Sequence, residues 1–367
     1  MYRSLDTVSR ELNGGLNAVT RDSNAESVAI NQTIRFPVMP EATLADVKPQ
    51  ATVPTVEGEV AGKRELKITN AKKASLVWTG NEQIEVGSSL AGMMENQITQ
   101  RMRALVNAVE EDLCNTIVYE GINSGNLIGT AGSPIFETDL KGLTKALKKL
   151  QDNGSPTSDL QALLNTTESM HMRNLANLQK VNEAGESNLL RRGVLGNLFG
   201  FDIRETAGFK ARTHTGDTDY KTNGEATAGS TTITIDTGNK TIDKGHIVTF
   251  GSDTHKYIVA ESVSAGGTSL KLTTPLASTV STGTTINLTD YNPCVAFDRS
   301  AVWLATRTIP VPKGGDLAID RRVITDPKSG LSFTIATYGG YYQNQMEISL
   351  AWGTGVIKPE HMVTILG

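Results

Sequence analysis

The sequence has almost no cysteine: Cys114 and Cys294 are the only two. They are too few for a disulfide framework, match no zinc spacing, and read as free thiols of a reducing compartment. Long apolar runs are missing as well; no window approaches the roughly 18 residues of a membrane span. A mean hydropathy of −0.22 excludes a polytopic membrane protein, while 38% apolar residues exclude a disordered chain. Aromatics are scarce at 5%. There is no excess of positive charge: 35 Lys and Arg stand against 39 Asp and Glu, a net charge of −4. That argues against tight nucleic-acid binding by the chain as a whole. The first twenty residues lack an apolar core and a small-residue cleavage site, so they do not read as a signal peptide.

Catalytic signatures are absent too. The sequence contains no GxxxxGK[ST], HExxH or GxSxG, and Gly193, Gly196 and Gly200 are wrongly spaced for a dinucleotide fingerprint. His171, His214, His246, His255 and His361 are scattered, with no pair at ligand spacing. Asp217, Asp219 and Glu225 form the nearest thing to a cation loop, but Lys221 breaks the alternation of oxygen ligands. The expectation is no enzyme, no cofactor and no metal.

What the chain does have is length, glycine and one long periodic segment. Its 367 residues suit two or three domains, and 35 glycines suggest many turns and strands. Residues 1–50 read as a polar arm: a helix-compatible stretch from Leu5 to Val19 is interrupted by Gly14-Gly15, and Pro37, Pro40 and Pro49 punctuate the rest. Within it Thr33–Val38 alternates, with Pro37 demoting it to an edge or added strand. Glu59–Ile68 reads as a charged hairpin turning near Gly62, marginal unless laid on something else.

The clearest element follows. Leu90, Met94, Ile98, Met102, Leu105, Val109, Leu113 and Ile117 recur every three or four residues, and no proline falls between Ser88 and Glu120. The spacing predicts one helix of roughly 45–50 Å with a single apolar stripe. A second amphipathic helix turns Leu140, Leu143, Leu147 and Leu150 inward and four lysines outward, stopping at Asn153-Gly154. Leu160–Leu164 reads as a buried strand, and Thr166 or Thr167 as the cap of a third helix. From about Thr213 to Asn292 Ser and Thr crowd the sequence, and short alternating runs are separated by glycines: an inserted all-β unit. Strands are expected again at Ala301–Ala305, Thr308–Val311, Leu331–Thr337 and Gln345–Leu350.

Taken in order, these stretches resemble one family. Thr33–Val38 followed by Pro54–Gly58, the long helix, Asn153-Gly154-Ser155-Pro156 before Leu160–Asn165, and Gly193–Gly196 with Gly200-Phe201-Asp202 are similar to the major capsid proteins of tailed double-stranded DNA phages. Gly330-Leu331-Ser332, Tyr341-Tyr342, Gln345, Ala351-Trp352-Gly353 and Lys358-Pro359-Glu360 resemble that family's closing strands. The resemblance implies an α+β, HK97-like fold. It implies an N-terminal arm (1–50), an extended loop (51–84), a peripheral domain with a spine helix (85–125) and an axial domain (126–212). An inserted β-barrel-like domain (213–292) and return strands (293–367) complete it. The insertion's place points to the P22-type branch.

The resemblance further implies self-assembly into hexamers and pentamers of an icosahedral shell that expands around double-stranded DNA. Implied partners are a scaffolding protein, a portal protein and optional decoration proteins, with assembly in the host cytoplasm and residence in the virion. Candidate subunit contacts are Ile34 and Phe36 in the arm, with Lys63, Arg64 and Glu65 docking near Glu110, Glu111 and Asp112 of a neighbour's spine helix. Arg191-Arg192 and Arg321-Arg322 are paired cations able to clamp a neighbour's carboxylate. Two alternatives stand beside this reading: an encapsulin-like nanocompartment shell, and a carbohydrate-binding β module using Tyr220, Phe250, Tyr257 and Tyr291.

Overall fold

The computed structural model describes residues 13–27, 31–38, 62–86, 90–179, 196–213, 220–236, 238–325 and 330–367. The expected motifs at Pro54–Gly58, Arg191-Arg192, Gly193–Leu195, Asp217 and Asp219 lie outside them.

The described chain opens on a short helix, α1 (Gly14–Ala18), and a strand, β1 (Thr20–Ser27). A two-stranded ribbon follows, β2 (Thr33–Val38) against β3 (Gly62–Lys67), then β4 (Asn70–Thr79), α2 (Gly80–Val86) and the long α3 (Leu90–Asn123). Next come β5 (Leu127–Gly129), α4 (Lys141–Asp152), β6 (Leu160–Asn165), α5 (Thr166–Arg173), β7 (Asn197–Leu198) and β8 (Phe201–Thr206). The insertion carries β9 (Thr232–Thr234), β10 (Ile247–Phe250), β11 (Tyr257–Ile258), β12 (Ser269–Lys271) and β13 (Ile286–Thr289). The chain closes with β14 (Pro293–Asp298), β15 (Val302–Thr308), β16 (Ala318–Thr325), β17 (Ser332–Gly340), β18 (Gln343–Val356) and β19 (Met362–Leu366).

Two sheets share the long helix. One runs β1-β15-β18-β17-β16, with β4 antiparallel along β18; the other runs β5-β19-β14-β6-β8-β7. Helix α3 lies against β18 and β4 of the first and β19 and β14 of the second. The expected stripe is buried at Ile98, Met102, Leu105, Val109, Leu113 and Ile117. Val106, Cys114, Val118 and Ile122 are buried as well, because two sheets rather than one face the helix. At 34 residues it is about 51 Å long. The fold is α+β, as expected.

Helix α4 covers the second sheet, with Leu143, Ala146 and Leu150 meeting Phe136, Leu160, Leu164 and Val363 in a separate core. All six residues of β6 are buried. The insertion has a core of its own, in which Tyr220, Ile233, Val248, Phe250, Tyr257, Leu270 and Ile286 meet. Both cysteines are free and buried.

Several local expectations change. Gly14-Gly15 starts a helix instead of breaking one, and Leu16, Ala18 and Val19 are buried in the main core. Residues 13–27 therefore belong to the body, with β1 parallel to β15. The chain does not turn at Gly62: Gly62–Lys67 is one strand whose partner is the arm strand, Thr33 facing Lys67 and Val38 facing Gly62. The cap of α5 is Asn165, whose side chain accepts the Thr167 N–H at 2.7 Å. No separate strand forms at Thr308–Val311; Thr308 ends β15 and the next residues leave the sheet. Pro310 and Pro312 remove the donors a ladder there needs.

Candidate assembly surfaces

The β2–β3 ribbon is a two-stranded sheet of its own. Pro37 sits in a strand paired on one side only, where its missing N–H costs nothing. One face of the ribbon is held down: Ile34 and Phe36 pack with Leu66, Ile68, Ala305 and Ala351, and the Phe36 ring lies 4.6 Å from that of Trp303. Ile34 and Phe36, candidates for contact with a neighbour, thus spend much of their surface on their own chain. The other three ribbon candidates, Lys63, Arg64 and Glu65, are exposed. Glu65 pairs with Arg35 across the strands at 3.1 Å.

The three acids expected as docking partners on α3 have different environments. Glu110 is 3% exposed. Its Oε1 accepts the Gly15 N–H at 2.7 Å and the Thr206 hydroxyl at 2.6 Å, and its Oε2 accepts the Leu16 N–H at 2.8 Å. Burial pushes this carboxyl above the ordinary glutamate range, although the hydrogen bonds from Thr206, Gly15, Leu16 and Cys114 pull the other way. Asp112 accepts from Asn70 Nδ2 at 2.9 Å, Trp352 Nε1 at 3.0 Å and Thr354 Oγ1 at 3.2 Å, fastening α3 to β18 and β4. Both acids are internal ties of their own subunit. Glu111 alone of the three is exposed, paired with Lys210. A cavity of about 410 Å³ beside it is lined by Asn13, Asn107, Glu110, Glu111, Gly208 and Lys210.

The paired arginines of β16 are also committed locally, Arg321 to Asp316 and the Tyr338 hydroxyl, and Arg322 to Asp320 at 3.0 Å. Where the insertion meets α3, Lys244 Nζ stands 3.7 Å above the Tyr119 ring, and the buried Tyr291 hydroxyl donates to Gly245 O at 2.7 Å. Tyr220, Phe250, Tyr257 and Tyr291 are all buried, so the insertion lacks the aromatic platform a carbohydrate-binding module requires. Among the described residues no cluster of three metal-ligating side chains occurs, and no described helix is long and apolar enough to cross a membrane.

No protein-family model matches the sequence, and neither does any curated protein. Solved structures do match. The capsid structure of the cyanophage P-SCSP1u superimposes with a TM-score of 0.52 at 12% identity, over 95% of this chain and 86% of that one. A structure from Mycobacterium phage Che8 gives a TM-score of 0.50 at 12% identity, over 98% of this chain and 90% of that one. The architecture is thus shared, at the level of fold, with a cyanophage capsid structure.

Sequence reasoning missed one surface altogether. Leu317, Ile319, Tyr341, Tyr342 and Ile84 are large apolar side chains left exposed at one end of the first sheet. The signal was present in the two tyrosines following Gly339-Gly340, where a two-residue turn has nowhere to bury them.

Proposed function

We propose that this chain is a major capsid protein that self-assembles into the icosahedral shell of a tailed double-stranded DNA phage. The observation that carries the reading is the fold: a helix of 34 residues clasped between two sheets, with a two-stranded ribbon packed by one face on the first sheet. A two-stranded ribbon is marginal by itself, and its exposed Lys63 and Arg64 are suited to a neighbouring subunit's acidic surface. Glu111 is the acid of the expected set still at the surface, so the inter-subunit contact is assigned to Lys63 and Arg64 against the Glu111 region. The insertion's position supports the P22-type branch, and expansion on DNA entry fits a rigid-body movement of α3 with the ribbon. A scaffolding protein and a portal belong to the same reading, as do a virion location and assembly in the host cytoplasm. Function without catalysis follows from the same role.

Sedimentation of the purified chain, with and without a scaffolding protein, tests the proposal. Megadalton particles support it, and a 39.3 kDa species under both conditions defeats it. Lys63→Glu with Arg64→Glu is expected to cut particle yield while leaving the monomer's thermal midpoint unchanged.

A further inference from the structure

The sequence holds three Asn-Gly pairs, Asn13-Gly14, Asn153-Gly154 and Asn223-Gly224. Asparagine before glycine is chemically labile, because no side chain on the following residue shields its backbone nitrogen from the asparagine carboxamide. In an unfolded chain the three pairs are similarly labile. The fold makes them unequal.

Two of them are locked. Asn13 bridges to Thr206, and Gly14 is pressed onto β8, where a Cβ would lie 2.3 Å from the Glu205 carbonyl oxygen. Asn153 closes α4: its Nδ2 donates to Glu360 O at 2.9 Å, and the Gly154 N–H donates to Gln151 O at 3.0 Å. Ring closure at either pair requires these backbone contacts to open first.

The third pair is free to react. Asn223 and Gly224 are both exposed, in a short irregular stretch of the insertion between the bridged residues Thr222 and Ala226. The Asn223 backbone N–H is anchored to Thr234 O at 2.9 Å, but its carboxamide has no hydrogen bond among the described residues. The Gly224 N–H donates to the exposed Thr282 hydroxyl at 3.1 Å, a surface side chain rather than a packed backbone carbonyl. Among the described residues nothing lies within 4 Å of the place a Gly224 Cβ would take, so the main chain has room to turn.

We propose that Asn223-Gly224 is a site of spontaneous covalent modification, at which the carboxamide nitrogen is lost as ammonia through a succinimide. The Gly224 nitrogen gives its proton to water and bonds to Asn223 Cγ. The Cγ–Nδ2 bond then breaks, and the leaving nitrogen takes up a proton and departs as ammonia. Water opens the imide at either carbonyl, giving aspartate or its β-linked isomer. Nothing is oxidised or reduced, and water is the co-reactant throughout. Each event adds one negative charge beside Glu225. The β-linked product also lengthens the main chain by one carbon between the bridges at Thr222 and Ala226. The inference stands independently of the shell reading.

The test is peptide mapping by mass spectrometry. The purified full chain is aged in mildly alkaline buffer, one portion folded and one in denaturant, and sampled over time. In denaturant all three pairs should convert at similar rates, which shows that each is chemically competent. In the folded chain Asn223 should convert roughly tenfold or more faster than Asn13 and Asn153, since those two must first open locally. Both aspartate and the β-linked isomer are expected in the Asn223 peptide, and Asn223→Gln should leave the mass of that peptide unchanged. A folded chain in which Asn13 or Asn153 converts as fast as Asn223 overturns the assignment. So does one in which Asn223 stays intact while the unfolded chain converts.

Discussion

Glu110 on the long helix accepts the Gly15 N–H at 2.7 Å across 95 residues of sequence. That bond, with its companion from Leu16 and the Thr206 hydroxyl, ties the start of the described chain, the helix and β8 at one carboxylate. Glu110→Ala orphans two buried N–H groups, each costing about 1–3 kcal/mol. The expected loss is about 2–4 kcal/mol of unfolding free energy, read by chemical denaturation of the unassembled chain. A loss under about 0.5 kcal/mol would remove Glu110 as a structural tie.

Glycines around this tie are sorted by the space a methyl group would meet. A Cβ at Gly14 would lie 2.3 Å from Glu205 O, and one at Gly353 2.1 Å from Lys67 O, both backbone atoms. Gly80, at the start of α2, has nothing within 4 Å. Gly14→Ala and Gly353→Ala should each lower the thermal midpoint. Gly80→Ala should leave it unchanged or raise it, by up to about 1 kcal/mol of added stability. The reverse ordering would contradict the packing described.

Much of this was legible in local pattern. The helix announced itself because one buried stripe repeats every three or four residues from Ile98 to Ile117. The strand at Leu160–Leu164 did so as a short apolar run, although the cap after it was expected at Thr166 or Thr167 and is Asn165. The start of α1 was not legible, since Gly14-Gly15 reads as a helix breaker until a carboxylate from residue 110 accepts its amides. For the same reason Glu110 and Asp112 looked like surface acids: their partners, Thr206, Asn70, Trp352 and Thr354, come from distant segments. The exposure of Ile84, Leu317 and Tyr341 was hidden because it depends on β4 and β16 flanking the β17–β18 hairpin.

Glu168, at the start of α5, gives the account a pH signature. Burial raises its carboxyl above the ordinary value of 4.5, with backbone N–H groups of Phe136 and Ile135 opposing. Between 4.5 and the raised native value, the folded chain holds more protons at this site than the unfolded chain. This site's contribution to stability therefore falls as pH rises through that window. Glu168→Gln should flatten that part of the stability–pH curve. Identical slopes for the two proteins would show that Glu168 titrates normally.

The insertion meets the spine helix where Lys244 stands over Tyr119, next to a buried hydrogen bond internal to the insertion. Tyr291→Phe removes the buried hydroxyl that donates to Gly245 O at 2.7 Å and should cost about 1 kcal/mol. Lys244→Ala, which removes the ammonium above Tyr119, should cost about 0.5–1 kcal/mol. Both are read as shifts in denaturation midpoint. No change with Lys244→Ala would mean that the cation–ring contact adds nothing at the junction, and none with Tyr291→Phe that the buried hydroxyl is dispensable to the insertion.

Lys63 and Lys67 on β3 and Lys72 and Lys73 on β4 are expected to form no covalent links between subunits. Assembled particles, boiled and reduced, are expected to run as one 39.3 kDa band. A ladder would establish covalent joining.

The central claim is that copies of this chain close into a shell, and electron microscopy of the protein expressed alone and with a scaffolding protein tests it most directly. Closed, hollow particles with icosahedral symmetry are predicted. Dispersed monomers in both preparations would contradict the account.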